Sequence, residues 1–286
     1  MNITTVGQGK VVLLAGDGKC FTDVAGRFIS SERALEDIIA SPHDKRIVDN
    51  IIKSGHLAAT EFDNFIFGIE GYARVTEVQL VRKRLASYCI KTGRAQKGGK
   101  RRFDVVLPPS LSTMPAVDME IPARKLTLPD GRTVAQACKV SSVLLSYDHV
   151  DLLAWTEQWY NRGVELGFAE ENLRYMKQQA TEFKAIVSMN CRALRDWLRI
   201  RMCMNAQTEI RDLATKMFKL ARGVKPELFI GAGPNCVELG YCPEGDRQHP
   251  TCKALGRITK EEALKILSSQ GRNIAYVDES EEETSS

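Results

Sequence analysis

The sequence predicts a mixed α/β protein with a central sheet flanked by helices. Three observations carry that expectation: the clean alternation of Phe65, Phe67 and Ile69, the apolar run Val11, Val12, Leu13 and Leu14, and helical spacing from Tyr147 to about Arg222. A period of two buries one face of a strand, whereas apolar residues three and four apart line one face of a helix. With 286 residues, 43% apolar and 27% charged, the chain has material for a sizeable core.

In chain order, Lys10 to Gly16 reads as a short buried strand. Ser31 caps a helix carrying Ala34, Leu35, Ile38 and Ile39, and a second helical pattern through Ile47, Ile51 and Ile52 ends near Gly55. The strand Asn64 to Glu70 stops at Gly71. A helix from about Arg74 to Arg84 then turns Val75 and Val78 inward and puts Gln79 and Arg82 on one face. The glycines and bases between Gly93 and Arg102 suggest a mobile loop, and Leu126 to Val134 reads as a hairpin around Pro129, Asp130 and Gly131. Beyond Tyr147, one stripe is Val150, Leu153, Trp159 and Val164; another is Ile210, Leu213, Met217 and Ala221, with Asn205 as N-cap. These patterns divide the chain into a main domain 1–225, a Cys-rich appendage 226–257, and a segment 258–286 ending in a disordered acidic tail.

No run of eighteen apolar residues occurs, and the first residues lack the pattern of a signal peptide, so the expected location is cytoplasmic with no membrane partner. The formal charge is +4 although the tail from Asp278 to Glu283 alone carries five acids. The body is therefore basic, which suits anionic partners such as nucleotides. Lys97 to Arg102 lacks the interleaved aromatics of a nucleic-acid surface and reads as a solvated loop.

The densest chemistry lies in Arg82, Lys83 and Arg84, followed by Thr92, Gly93 and Arg94. A guanidinium fork matches phosphate oxygens two at a time, so this cluster reads as an anion site. Asn190, Leu194, Trp197 and Arg201 share helical spacing, so Asn190 and Arg201 are expected to face one space. Arg192 and Asp196 form an i,i+4 pair, read either as ligand contacts or as a weak ion pair. Eight cysteines without a secretory signal favour metal ligation or burial over disulfides. Cys236, Cys242 and Cys252, with Cys203 as fourth thiolate and His249 as an alternative ligand, are candidates for tetrahedral zinc.

Several separated motifs, in order, resemble the flavin-dependent thymidylate synthases. Arg82 to Ser87 is similar to that family's R-H-R-x-x-S signature, with Lys83 where histidine is usual. Gly55 to Phe62 resembles its G-H-x-S-x-x-E-H, with Ala58 and Phe62 departing from the pattern. Asn190 to Arg192, Asp196 and Arg201 to Arg211 look like its later segments, with Thr208 where tryptophan is usual, and Arg174 falls where the family carries a phosphate-binding arginine. The resemblance implies the thymidylate synthase-complementing protein fold, an oligomer (a homotetramer), and reductive methylation of dUMP to dTMP with FAD, NADPH and methylenetetrahydrofolate. It implies that Arg82, Lys83, Arg84, Ile90, Asn190, Arg192 and Asp196 line the flavin site. Gln79, Arg82, Thr92, Gly93, Arg94, Arg174 and Arg201 would hold dUMP, with Arg201 as the catalytic residue beside the pyrimidine. Ile90 stands where the family usually has Glu or Gln. That departure leaves two alternatives: flavin-dependent modification of another pyrimidine nucleotide, or a non-catalytic nucleotide-binding homologue.

Overall fold

The computed structural model of the chain describes residues 2–91, 103–112, 114–115, 117–120, 125–127, 130–131, 133–135 and 144–269. It is a mixed α/β protein. Strands Lys10–Ala15, Asn64–Ala73, Glu182–Asn190 and Ser87–Ile90 pair in that spatial order as a four-stranded sheet. The chain forms two compact units, one made of residues 1–10, 69–82 and 88–186, the other of 11–68, 83–87 and 187–286.

In the first unit, Asn2–Thr5 pairs in parallel with Asp104–Leu107. Phe103, Val105, Leu107, Leu153, Tyr160 and Leu173 close its apolar cluster, with the Phe103 and Tyr160 rings edge to face at 5.2 Å. The Lys177 ammonium lies 4.8 Å from both ring centroids, a geometry that favours a cation over π faces. Helix His149–Glu165 starts at a capping box: the Asp148 carboxylate accepts from Val150 and Asp151 N–H, and Asp151 reaches back to Asp148 N–H. Its inward face is carried by Leu153 and Tyr160, while Trp159, placed in the expected stripe, is half exposed. The predicted hairpin forms as an antiparallel pair, with Leu126 opposite Val134 and Thr127 opposite Thr133.

In the second unit, helices Phe21–Ser30, Leu35–Ala40, Lys45–Lys53, Cys191–Arg201 and Thr208–Val224 supply most of the structure. Ile210, Leu213, Met217 and Ala221 are fully buried, as their stripe predicts. Phe65 meets Phe229 edge to face at 5.5 Å, which anchors the turn after the last long helix.

Several expectations are corrected. Helix Phe21–Ser30 precedes the one expected there, so Ser31 closes a helix rather than opening one; its hydroxyl donates to Arg27 O. The strand from Asn64 continues to Ala73 through Gly71, whose φ of +77° brings it against the backbone; a Cβ there would meet Gly9 Cα at 3.0 Å. The following helix ends at Leu80. It buries Thr76, Glu77 and Leu80 and leaves Val75 and Val78 outside, and Arg82 falls on the turn beyond rather than on a helical face with Gln79. Glu182–Asn190 is a strand within the span read as helical, burying Phe183, Ala185, Val187 and Met189 in strict alternation. Gln207, not Asn205, is the N-cap of helix Thr208–Val224, and the Asn205 amide donates instead to Arg247 O at 2.9 Å. The loop predicted over 93–102 and the acidic tail lie outside the described residues.

Candidate functional site

Arg82, Lys83 and Arg84 sit on the turn joining helix Arg74–Leu80 to strand Ser87–Ile90. The three basic side chains have different fates. Lys83 is half-buried and its Nζ lies 3.4 Å from Asp196 Oδ2. Arg82 and Arg84 are exposed, and among the described residues neither takes a carboxylate partner. A cation without a local counter-ion keeps its full donor capacity for a ligand. Tyr88, in the strand that follows, donates its hydroxyl to Leu80 O at 3.0 Å, and burial pushes its phenol up to about 12. That bond ties both ends of the turn together. Thr92, Gly93 and Arg94 lie outside the described residues.

Also in the first unit, Gln79 is half-buried near the end of helix Arg74–Leu80, and Ile90 is half-buried in the strand Ser87–Ile90. Arg174 opens a short 3₁₀ turn, and its Nε donates to Glu171 O at 3.3 Å. Among the described residues that is the one side-chain bond of Arg174, which leaves the rest of its guanidinium fork uncommitted there.

The second unit assembles the other predicted residues. Asn190 ends a strand and caps helix Cys191–Arg201, with its side-chain oxygen accepting Ala193 N–H at 2.8 Å. Because it precedes the helix, it does not share a helical face with Arg201. Leu194 and Trp197, the residues between them on that projected face, are buried in the core. Arg192 does not pair with Asp196; it meets Glu61 at 2.7 Å, both about half exposed. Asp196 is taken by Lys83 and, at 3.6 Å, by Arg199. Three separated stretches, around Glu61, Lys83 and Asn190 to Asp196, are thereby brought together. Arg201 closes the helix, half-buried, at a cavity of about 270 Å³. That cavity is lined by all four cysteines proposed as metal ligands. His249 instead caps helix Pro250–Ala254, its Nδ1 accepting from Thr251 N–H.

Beneath this surface lies a polar interior that no short-range pattern indicates. Asp63 accepts from Lys225 Nζ at 2.6 Å and from the Thr22 amide and hydroxyl at 2.8 and 2.5 Å. Burial pushes its carboxyl up, but the bonds from Lys225 and Thr22 outweigh that and hold it below the usual range. Arg195, almost fully buried, donates to Leu228 O and Ile230 O and pairs with Glu238 at 3.2 Å. Cys20, His43 and Glu227 are the one group of three metal-type ligand atoms mutually within 4.8 Å among the described residues. Their partners argue against a metal there. The His43 nitrogens lie 3.0 Å from Asp23 and 3.2 Å from Glu227, so each ring nitrogen already faces a carboxylate, and burial pushes the Cys20 thiol up to about 11. Partners 162 residues apart, such as Asp63 and Lys225, leave no trace in a window of local sequence.

On this α/β chain the turn before strand Ser87–Ile90 carries exposed guanidinium groups that take no carboxylate partner among the described residues, chemistry suited to an anion. Comparison makes the class specific. Residues 20–227 match the family described as thymidylate synthase complementing protein. The chain is 35% identical over 217 residues to a flavin-dependent thymidylate synthase of Nitratidesulfovibrio vulgaris, covering 75% of this chain and 79% of the relative. It is 30% identical over 245 residues to the enzyme of that name in Geobacter sulfurreducens, covering 86% and 90%. A solved UMP/dUMP methylase from Streptomyces cacaoi, bound with 5-Br dUMP, shares the fold at a TM-score of 0.58 and 17% identity, covering 82% of this chain and 98% of that one. The chain belongs to the thymidylate synthase complementing protein family.

Proposed function

We propose that this protein is a flavin-dependent thymidylate synthase that reductively methylates dUMP to dTMP, with methylenetetrahydrofolate as carbon donor and NADPH as reductant. The observation that carries the reading is the pair of exposed guanidinium groups at Arg82 and Arg84, which take no carboxylate partner among the described residues and lie inside the family's basic signature. Guanidinium forks suit the pyrophosphate of FAD and the monophosphate of dUMP, and this chemistry supports the reading.

Arg82 and Arg84 bind the anionic ends of cofactor and nucleotide, and Lys83, steadied by Asp196, adds positive charge to the same turn. Asn190, Arg192 and Asp196 contribute polar groups to the flavin side. The Arg192–Glu61 pair is exposed enough that its exchange for a ligand contact costs at most about 1 kcal/mol. Gln79, Thr92, Gly93, Arg94 and Arg174 hold dUMP, chiefly at its phosphate. Arg201 stabilises negative charge on the pyrimidine as the ring is polarised for attack through C5. When bound, the reduced flavin supplies the hydride, and the protein supplies position and charge. The reading assigns no cysteine nucleophile, and burial pushes the Cys191 thiol, nearest in sequence to the Asn190 segment, up to about 12.

Ile90 supports a second reading, in which the same site modifies a different pyrimidine nucleotide. An alkyl side chain replaces a polar contact at that strand position and offers neither donor nor acceptor. The protein is further proposed to work as a homotetramer, which light scattering of the purified protein tests.

The deciding experiment incubates the flavin-loaded protein with NADPH, carbon-labelled methylenetetrahydrofolate and either dUMP or UMP, followed by mass analysis of the nucleotides. Labelled dTMP is the expected product. Methylation of UMP alone supports the second reading, and no labelled nucleotide from flavin-loaded protein rejects both.

A further inference from the structure

The four cysteines around the cavity come from separate pieces of the second unit. Cys203 follows helix Cys191–Arg201, Cys236 lies in helix Asn235–Leu239, Cys242 follows the left-handed Gly240, and Cys252 lies in helix Pro250–Ala254. The backbone holds these pieces in place. Cys242 N–H donates to Ile258 O at 2.7 Å, Arg257 N–H to Cys252 O at 3.1 Å, and the Asn205 amide to Arg247 O. None of the four sulfurs is in a disulfide.

The separation of the sulfurs selects among occupants. A single zinc with bonds of about 2.3 Å draws four sulfurs to within about 4 Å of each other. No three of these four lie mutually within 4.8 Å, and all four line a cavity of about 270 Å³. A cuboidal iron–sulfur cluster spreads its four cysteine sulfurs to roughly 6 Å and fills the space between them. Charge agrees as well. Four thiolates around a cluster core of charge 2+ leave a net charge of about −2, and Arg201 and Arg257 line the same cavity against one acid, Glu244, while Arg199 there is already paired with Asp196 and Glu238.

We propose that Cys203, Cys236, Cys242 and Cys252 bind a [4Fe–4S] cluster that fastens the Cys-rich appendage to the end of the helix carrying Arg201. Binding releases the four thiol protons as the iron–sulfur bonds form. No electron transfer is assigned to the cluster. Its place is structural, two positions beyond Arg201 in the chain, and the proposal stands independently of the substrate.

The test is purification of the full chain without oxygen, with iron, acid-labile sulfide, zinc and flavin each quantified, and Mössbauer spectra taken on ⁵⁷Fe-grown protein. The expected result is about four irons and four sulfides per chain. Cys236→Ala and Cys252→Ala should each lower iron about tenfold, while Cys89→Ala, in the strand Ser87–Ile90, leaves iron unchanged. One zinc per chain, a metal-free protein, or iron indifferent to Cys236→Ala and Cys252→Ala overturns the proposal. The wild-type metal analysis stands even where a variant fails to fold, and the separate flavin assay keeps this outcome distinct from the fate of the proposed activity.

Discussion

Two sets of charges in this molecule behave in opposite ways. Asp63, Lys225 and Arg195 are buried and closed on themselves, with each charged group meeting a counter-charge or a carbonyl within the second unit. Arg82 and Arg84 stand exposed on a turn, with no carboxylate partner among the described residues. Buried charge must be satisfied internally because an unpaired ion there loses its hydration without recompense. Exposed, unpaired charge carries no such demand and stays available to a phosphate. The contrast separates residues that hold the fold from those proposed to recognise a ligand, although arginine serves in both sets.

The largest effect should follow from breaking the closed set. Asp63→Asn leaves the Lys225 ammonium buried without its counter-charge and should cost about 3–5 kcal/mol in denaturant unfolding. Replacing Lys225 by Met in that background should recover much of the loss; no recovery would mean that the pair is not the cause. The same carboxyl sets a pH dependence. Its folded value lies below the unfolded one, so its contribution is present above about pH 4 and disappears as pH falls through the folded value. Asp63→Asn should flatten the acid limb of a stability–pH curve.

Next in size is Arg201→Ala, expected to cost about 3 kcal/mol of barrier, a hundredfold or more in kcat, with flavin content retained. Unchanged turnover would remove Arg201 from the chemistry. Arg84→Ala should weaken flavin retention about tenfold, and more at low salt than at high, because the lost contact is to a phosphate. Smallest is Glu61→Gln, which frees Arg192 from an exposed pair. Its stability change should stay within about 1 kcal/mol, and any gain in flavin affinity would mark Arg192 as a ligand contact.

Much of this was legible in the sequence where one element carries the signal. The alternation at Phe65, Phe67 and Ile69, the stripe from Ile210 to Ala221 and the antiparallel pairing of Leu126 with Val134 are local patterns, and each appears in the structure. The basic signature was readable for the same reason, since its residues are adjacent. Errors arose where a pattern had two meanings. Glu182–Asn190 alternates but sits between helices, and its hydrophobic spacing was absorbed into theirs. Asn190 has helical spacing to Arg201, yet its short amide caps the helix instead of joining its face. The Lys83–Asp196 and Arg192–Glu61 pairs span 113 and 131 residues. Only the fold could choose them over the nearer Arg192–Asp196 pair.

The most direct test of the recognition claim is calorimetric binding of dUMP and of deoxyuridine to the flavin-loaded protein and to its Arg82→Ala variant. The account predicts that the wild-type protein prefers the phosphorylated ligand by about a hundredfold or more, and that the variant loses at least about tenfold of that preference. An undiminished preference for dUMP in Arg82→Ala would contradict it.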